Sequence, residues 1–95
     1  MMYRGKPIKV GWVEDTFAED VKDNLLYSDA YEITHELANG DSLEAEIVYE
    51  GDQQLLSIRY LRKCWLNVIE VRMGWFPEDD ELLEAIHKVY RKGRG

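Results

Sequence analysis

The sequence predicts a small α+β domain in which two helices pack on an antiparallel sheet of four to five strands, in the order β-α-β-β-β-β-α. Three observations lead to this prediction. One helical apolar repeat follows residue 16, a second follows residue 78, and the side chains between them alternate between apolar and polar. Ninety-five residues, 45% of them hydrophobic, suffice for one core, so residues 1–95 are expected to form a single compact domain.

The first strand is predicted over Pro7–Val13, where apolar residues recur with a period of two. Thr16 and Glu19 then match a capping box, in which a hydroxyl and a carboxylate each bond an unpaired amide at a helix start. An apolar stripe at four-residue spacing follows, so a helix is expected from Thr16 to about Ser28. The stripe consists of Phe17, Val21 and Leu25.

Residues 29–38 fit two interpretations, a helix that is capped by Asp29 or a strand that forms a hairpin with residues 42–50. We favour the hairpin. A three-residue turn over residues 39–41, with Gly40 or Asp41 in the left-handed region, keeps apolar residues opposite each other. The resulting inner-face pairs would be Leu37 with Leu43, His35 with Ala45, Ile33 with Ile47 and Tyr31 with Tyr49.

Two more strands and a helix complete the plan. A strand at residues 56–60 follows the Gly51–Asp52 turn, and the last strand, Trp65–Met73, has apolar residues on both faces, which predicts a central position in the sheet. Acidic residues 78–81 and basic residues ten positions later favour the two ends of a second helix. Residues 93–95 are expected to be frayed.

Charge is concentrated in the middle of the chain, whose net charge is -7. Residues 10–58 hold thirteen acidic residues and one basic residue, Lys22. Such a segment repels phosphate backbones, so direct binding of nucleic acid is not expected, whereas a cationic protein surface would be attracted. Nucleic-acid-binding sites are the commonest strongly cationic protein surfaces, so the partner is predicted to be a nucleic-acid-binding protein. Charge kept only for solubility is the alternative.

The predicted register would crowd three carboxylates on the outer face, with Glu36 opposite Glu44 and Glu46 diagonal to Glu36. Opposed like charges on a sheet cost up to about 1 kcal/mol, which suggests that they are kept for a use. The predicted function is therefore a non-catalytic acidic inhibitor or adaptor of the physical type of immunity proteins and phage anti-defence proteins. Its predicted partner-binding residues are Glu32, Glu36, Glu44, Glu46, Glu50 and Asp52.

Catalytic and metal chemistry find little support in the sequence. His35 and His87 are far apart in the chain, Cys64 is the only cysteine, and no phosphate-binding loop is present. We therefore predict no metal, no cofactor and no catalytic residues. The alternative is a small enzyme or ligand-binding domain with a pocket between sheet and helices, near His35 or Cys64.

Trp75 and Phe76 precede Pro77 in a connection that has little room to bury both rings, so they are candidate aromatic anchors for a partner. The alternative is that they fill the gap between the last strand and the final helix. A third possibility is that these two residues, or a free sheet edge, form the interface between the subunits of a homo-oligomer. No export signal and no long apolar run is visible, so a cytoplasmic protein without membrane contact is predicted.

Overall fold

The computed structural model describes residues 12–63 and 68–95. Most of the predicted first strand therefore lies outside the described residues, and its last two positions, Trp12 and Val13, belong to a helix. This helix, α1, spans Trp12–Val21 and continues as a π-helix over Lys22–Leu26. The predicted capping box at Thr16 is wrong, because the helix begins four residues earlier.

The apolar stripe of α1 is confirmed. Phe17, Val21 and Leu25 are buried in the core. The helical segment ends at Tyr27, whose amide donates to the Lys22 carbonyl at 2.9 Å, close to the predicted end at Ser28.

Four antiparallel strands follow, and their order in the sheet is the order in the chain. They are β1 (Glu32–Glu36), β2 (Ser42–Glu50), β3 (Gln53–Leu61) and β4 (Val68–Gly74). The α+β class and the order of the described elements are thus as predicted, and residues 29–38 contain a hairpin strand, Glu32–Glu36, rather than a helix. The β2–β3 turn has Gly51 at a φ of 62°, which glycine adopts without a steric penalty.

The predicted register of the first hairpin is wrong by two residues. Glu36 pairs with Ser42 and His35 with Leu43, so the connection is a five-residue loop over residues 37–41. Within this loop the Leu37 amide donates to the Asp41 carbonyl at 2.8 Å, and Gly40 takes a φ of 92°. A shift of two residues leaves every side chain on its predicted face, which is why the alternation in the sequence could not distinguish the two registers.

Tertiary bonds select the longer loop. The Asp41 carboxylate accepts hydrogen bonds from the Tyr60 hydroxyl at 2.5 Å and from the Lys63 amide at 3.0 Å. These bonds, first of all the one from Tyr60, hold the pKa of Asp41 below its ordinary value. The loop is therefore tied to the end of β3.

The last strand was predicted to lie at the centre of the sheet. Among the described strands β4 lies at an edge of the sheet, and its two faces differ. Met73 is buried on the inner face, whereas Val68 and Arg72 on the outer face are exposed. The prediction that both faces of this strand are buried relied on Trp65 and Leu66, which lie outside the described residues.

The second helix, α2, spans Asp79–Arg94 and buries Leu82, Ile86 and Val89. It packs on β3 and β4, while α1 packs on α2 and β1, so both helices cover the same face of the sheet. Neither is long and apolar enough to cross a bilayer, as judged from the described residues alone.

Residues 93–95 were expected to be frayed, but α2 continues to Arg94 and Gly93 is packed against the sheet. Gly93 is buried, and its carbonyl accepts a hydrogen bond from Arg62 at 2.9 Å. A Cβ atom at this position would lie 2.2 Å from the ring of Tyr60. The helix end thus requires glycine because the tyrosine ring lies against its backbone.

Candidate functional site

The outer face of the sheet is opposite the two helices, and no described element covers it. Side chains alternate across a strand, so every second residue of β1 to β4 lies on this face. Six glutamates and two arginines lie there, which leaves four carboxylates in excess. They are Glu32, Glu36, Glu44, Glu46, Glu50, Glu70, Arg59 and Arg72.

Arg59 offsets one of the two negative charges at the centre of the face. Its guanidinium donates to Glu44 at 2.6 and 3.0 Å and to Glu46 at 2.6 Å, so it bridges the two carboxylates. Partial burial lowers the pKa of Arg59, but the hydrogen bonds to Glu46 and Glu44 outweigh this effect and raise its pKa above the ordinary value. Sequence analysis missed this residue, since only strand pairing places Arg59 opposite Glu44.

Arg72 forms a second network near the β4 edge. It donates to Glu70 at 3.0 Å and also pairs with Glu50. The Ser57 hydroxyl donates to Glu70 at 2.5 Å and, with Arg72, holds the pKa of Glu70 below its ordinary value. Ser57 is fully buried although it lies on the outer face. The ionic side chains of this face therefore form a packed layer.

The six predicted binding residues separate into two groups. Glu44, Glu46 and Glu50 are held by arginines, whereas Glu32, Glu36 and Asp52 are exposed and form no ion pair within residues 12–63 and 68–95. Asp52 lies in the β2–β3 turn, beside the face.

The predicted crowding of Glu36, Glu44 and Glu46 is wrong, because Glu36 pairs with Ser42 and Glu44 with Thr34. The opposed like charges are instead Glu32 and Glu46, and Arg59 offsets the charge of Glu46.

The predicted aromatic anchors differ in exposure. Trp75 is partly buried and packs against the core, as the gap-filling alternative proposed. Phe76 is half exposed and has a positive φ of 63°, a conformation that costs a residue with a Cβ atom about 1–2 kcal/mol. Its ring packs edge to face on Tyr27 at 5.5 Å between centroids.

Two exposed tyrosines were not predicted as surface residues. Tyr31 and Tyr49 are 79% and 67% exposed, although the sequence analysis placed both on the core face. The alternation of the strands does put them on the inner face, but at an end of the sheet that the helices leave open. No signal in the sequence marks where a helix stops covering a strand.

Each histidine is paired with a carboxylate from another element. His87 of α2 lies 2.6 Å from the Glu14 carboxylate of α1. Glu14 is fully buried, and its Oε1 has no hydrogen-bond partner among the described residues. His35 of β1 pairs with Asp20. The Glu14 contact also explains why α1 starts before Thr16, since it ties the first turn of the helix to α2.

A groove of about 960 Å³ lies between β4 and α2, with His87 in its wall and Val71 and Met73 on its floor. The pocket predicted by the enzyme alternative was near His35 or Cys64. His35 pairs with Asp20 and packs on the ring of Phe17, with 5.1 Å between the ring centroids, so its side chain does not line a pocket of this kind. Cys64 lies outside the described residues. No group of three metal-ligating side chains occurs in the described part of the chain.

The outer face thus concentrates unbalanced charge in the described sheet, and the groove is a concave feature lined by residues of β4 and α2. Each could bind a partner, the first by electrostatic attraction and the second by enclosing a small molecule. Comparison of the chain with protein-family models, with curated proteins and with solved structures gave no match.

Proposed function

We propose that this chain is a non-catalytic protein-binding module that uses the outer sheet face to occupy a basic surface of a partner protein. The supporting observation is the excess of carboxylates on a face that no described element covers. Glu32, Glu36 and Asp52 are the carboxylates free to pair with a partner, since they have no arginine of their own in the described residues.

The rigid sheet favours such a role. Glutamates two residues apart on a strand are separated by about 7 Å, and neighbouring strands by about 4.8 Å, so the face presents a fixed array of negative charge. A preorganised array binds lysine and arginine side chains with less loss of side-chain entropy than a disordered acidic tail does. The partner proposed is a nucleic-acid-binding protein, whose phosphate-binding lysines and arginines the array would occupy.

The test compares two charge variants. The triple variant Glu32→Lys, Glu36→Lys and Asp52→Lys alters the face, and the matched control Asp15→Lys, Asp23→Lys and Glu84→Lys makes the same change in net charge on exposed helix positions. Binding of a nine-residue lysine peptide is measured by fluorescence anisotropy at low and high salt. Circular dichroism verifies that both variants are folded.

We expect the face variant to bind the peptide at least about tenfold more weakly, from about 0.5 kcal/mol per ion pair, and the control to bind much more tightly than the face variant. The wild type should also displace a single-stranded oligonucleotide from the peptide. Equal weakening in the two variants would mean that only net charge matters, and the proposal would be wrong.

A second candidate is a small-ligand site in the groove between β4 and α2. The specific observation is the fully buried Glu14, which can orient the His87 ring towards this groove. Fragment screening by NMR would test it. Chemical-shift changes at His87 that are lost in Glu14→Gln would support a groove ligand, and a screen without such changes would exclude it.

A further inference from the structure

Four exposed aromatic residues, Tyr27, Tyr31, Tyr49 and Phe76, lie at one end of the sheet, which we call the aromatic end. β1 begins there, and β2 and β4 finish there, because the strands are antiparallel. The four rings are 50% to 79% exposed. Monomeric domains rarely expose several large rings in one region, so the aromatic end has the character of an interaction surface.

Contacts tie the four rings to this end. Tyr27 packs on Phe76, just beyond β4, at 5.5 Å. The Tyr31 carbonyl accepts a hydrogen bond from the Ile47 amide at 3.0 Å, which extends the β1–β2 pairing by one residue. Tyr49 is two residues further along β2 on the same face, so Tyr31 and Tyr49 are diagonal neighbours, whose Cα atoms on an antiparallel sheet lie about 7–8 Å apart. A planar cation could contact both rings.

The charges around the aromatic end are acidic. Asp29, Glu32 and Asp52 are exposed there and form no ion pair in the described ranges. The nearby cations are already paired, Lys22 with Glu19 and Asp79, and Arg72 with Glu50 and Glu70. A cationic partner is therefore favoured, whereas a second copy of this acidic chain would be repelled.

We infer that the aromatic end binds arginine side chains of the partner protein, which deepens the proposed function and rests on it. A guanidinium is planar, stacks on aromatic faces and donates to carboxylates in its own plane, so tyrosines flanked by acids suit it better than they suit an ammonium group. The chain itself contains this interaction, since the guanidinium of Arg94 lies 5.3 Å from the ring centroid of Tyr90.

The strained backbone of Phe76 agrees with this inference. A positive φ is unfavourable for phenylalanine, and the half-exposed ring recovers little of that cost by burial. Strain of this kind persists where the surrounding structure enforces it and is frequent at binding sites.

The experiment measures binding of two peptides, nine arginines and nine lysines, to four proteins by fluorescence anisotropy at 150 mM salt. The proteins are the wild type, Tyr31→Leu/Tyr49→Leu, the ring-retaining Tyr31→Phe/Tyr49→Phe, and the face variant Glu32→Lys/Glu36→Lys/Asp52→Lys. We expect the leucine variant to bind the arginine peptide about 5- to 30-fold more weakly and the lysine peptide to be affected by a smaller factor. The phenylalanine variant should keep most of the affinity.

Other outcomes overturn the inference in distinguishable ways. If the leucine variant binds both peptides as the wild type does, while the face variant binds neither, the aromatic end has no role and the proposed function stands. Equal losses for the two peptides would overturn the preference for arginine. If the face variant binds as tightly as the wild type, the proposed function fails and this inference fails with it. A wild type that sediments as a dimer, with a monomeric leucine variant, would make the aromatic end a self-interface instead.

Discussion

Replacement of Arg59 by methionine tests whether the ion pairs of the outer face hold the sheet together. Methionine keeps the apolar stem of the side chain but removes three hydrogen bonds, of 2.6 to 3.0 Å, to Glu44 and Glu46. Hydrogen bonds to charged groups contribute about 1.5–3 kcal/mol each when buried. Arg59 is 21% exposed, and the three bonds share two carboxylates, so we expect their joint loss to cost about 2 kcal/mol.

The released carboxylates add a second cost. Without the shared arginine the two carboxylates can separate to about 7 Å, the Cα spacing of Glu44 and Glu46 on one strand, and like charges at that distance repel by about 0.6 kcal/mol in water and about 2.4 kcal/mol at an effective dielectric constant of 20. The free energy of unfolding should therefore fall by about 3 kcal/mol at low salt. The repulsive part should disappear at 1 M salt, where the screening length is about 3 Å.

Urea unfolding of the wild type and Arg59→Met at 0.05 and 1 M NaCl measures both effects. The triple variant Arg59→Met/Glu44→Gln/Glu46→Gln is the control, because neutral amides remove the repulsion and should recover about 1–2 kcal/mol at low salt. Arg59→Met should also bind the lysine peptide more tightly, since the face gains one net negative charge. The reasoning is refuted if Arg59→Met is as stable as the wild type, or if its loss of stability does not change with salt.

Three further substitutions test individual contacts. Gly93→Ala should destabilise the fold by about 1–3 kcal/mol, although alanine has the higher helix propensity, because the new Cβ atom would overlap the Tyr60 ring. Gly74→Ala, with open space around the residue, is the control. Equal urea midpoints for Gly93→Ala and the wild type would contradict this prediction. Asp41→Asn should lose stability at neutral pH but lose little more on acidification. The pKa of Asp41 is depressed when folded, so its contribution is present above the ordinary value of 3.8 and lost as pH falls through the folded value; parallel stability curves between pH 6 and 3 would disprove it. Phe76→Gly should leave the melting temperature unchanged or raise it, because glycine relieves about 1–2 kcal/mol of backbone strain and so offsets the lost contact with the Tyr27 ring. A clear drop in melting temperature would show that the Phe76 ring stabilises the fold.

Most elements of the fold could be predicted from local patterns. The apolar stripe of α2 and the alternation along β2 and β3 give their structure directly, because each element has one buried face. The start of α1 and the register of β1 could not be predicted in this way. Glu14 ties α1 to His87, and Asp41 ties the hairpin loop to Tyr60, and both contacts join residues far apart in the sequence.

The acidic residues of the outer face were identified from the sequence, but their electrostatic state was not. Arg59 and Arg72 are unremarkable in the sequence, and only strand pairing brings them between the glutamates. Exposure of Tyr31 likewise depends on how far the helices extend over the sheet. The residue types on a surface can therefore be predicted from the sequence, whereas the ion pairs between them can be predicted only when the strand register is known.

The attachment of Asp41 to β3 has a consequence for the order of folding. The β2–β3 hairpin closes through the two residues Gly51 and Asp52 and needs no other element, whereas the loop before β2 finds its partner, Tyr60, only once β3 is in place. We therefore expect the second hairpin to belong to the folding nucleus and β1 to join the sheet afterwards. Because Asp41 flanks the Ser42–Leu61 pair of this hairpin, a mutation at Asp41 should then slow folding, and an unchanged folding rate would argue that this end of the hairpin closes after the transition state.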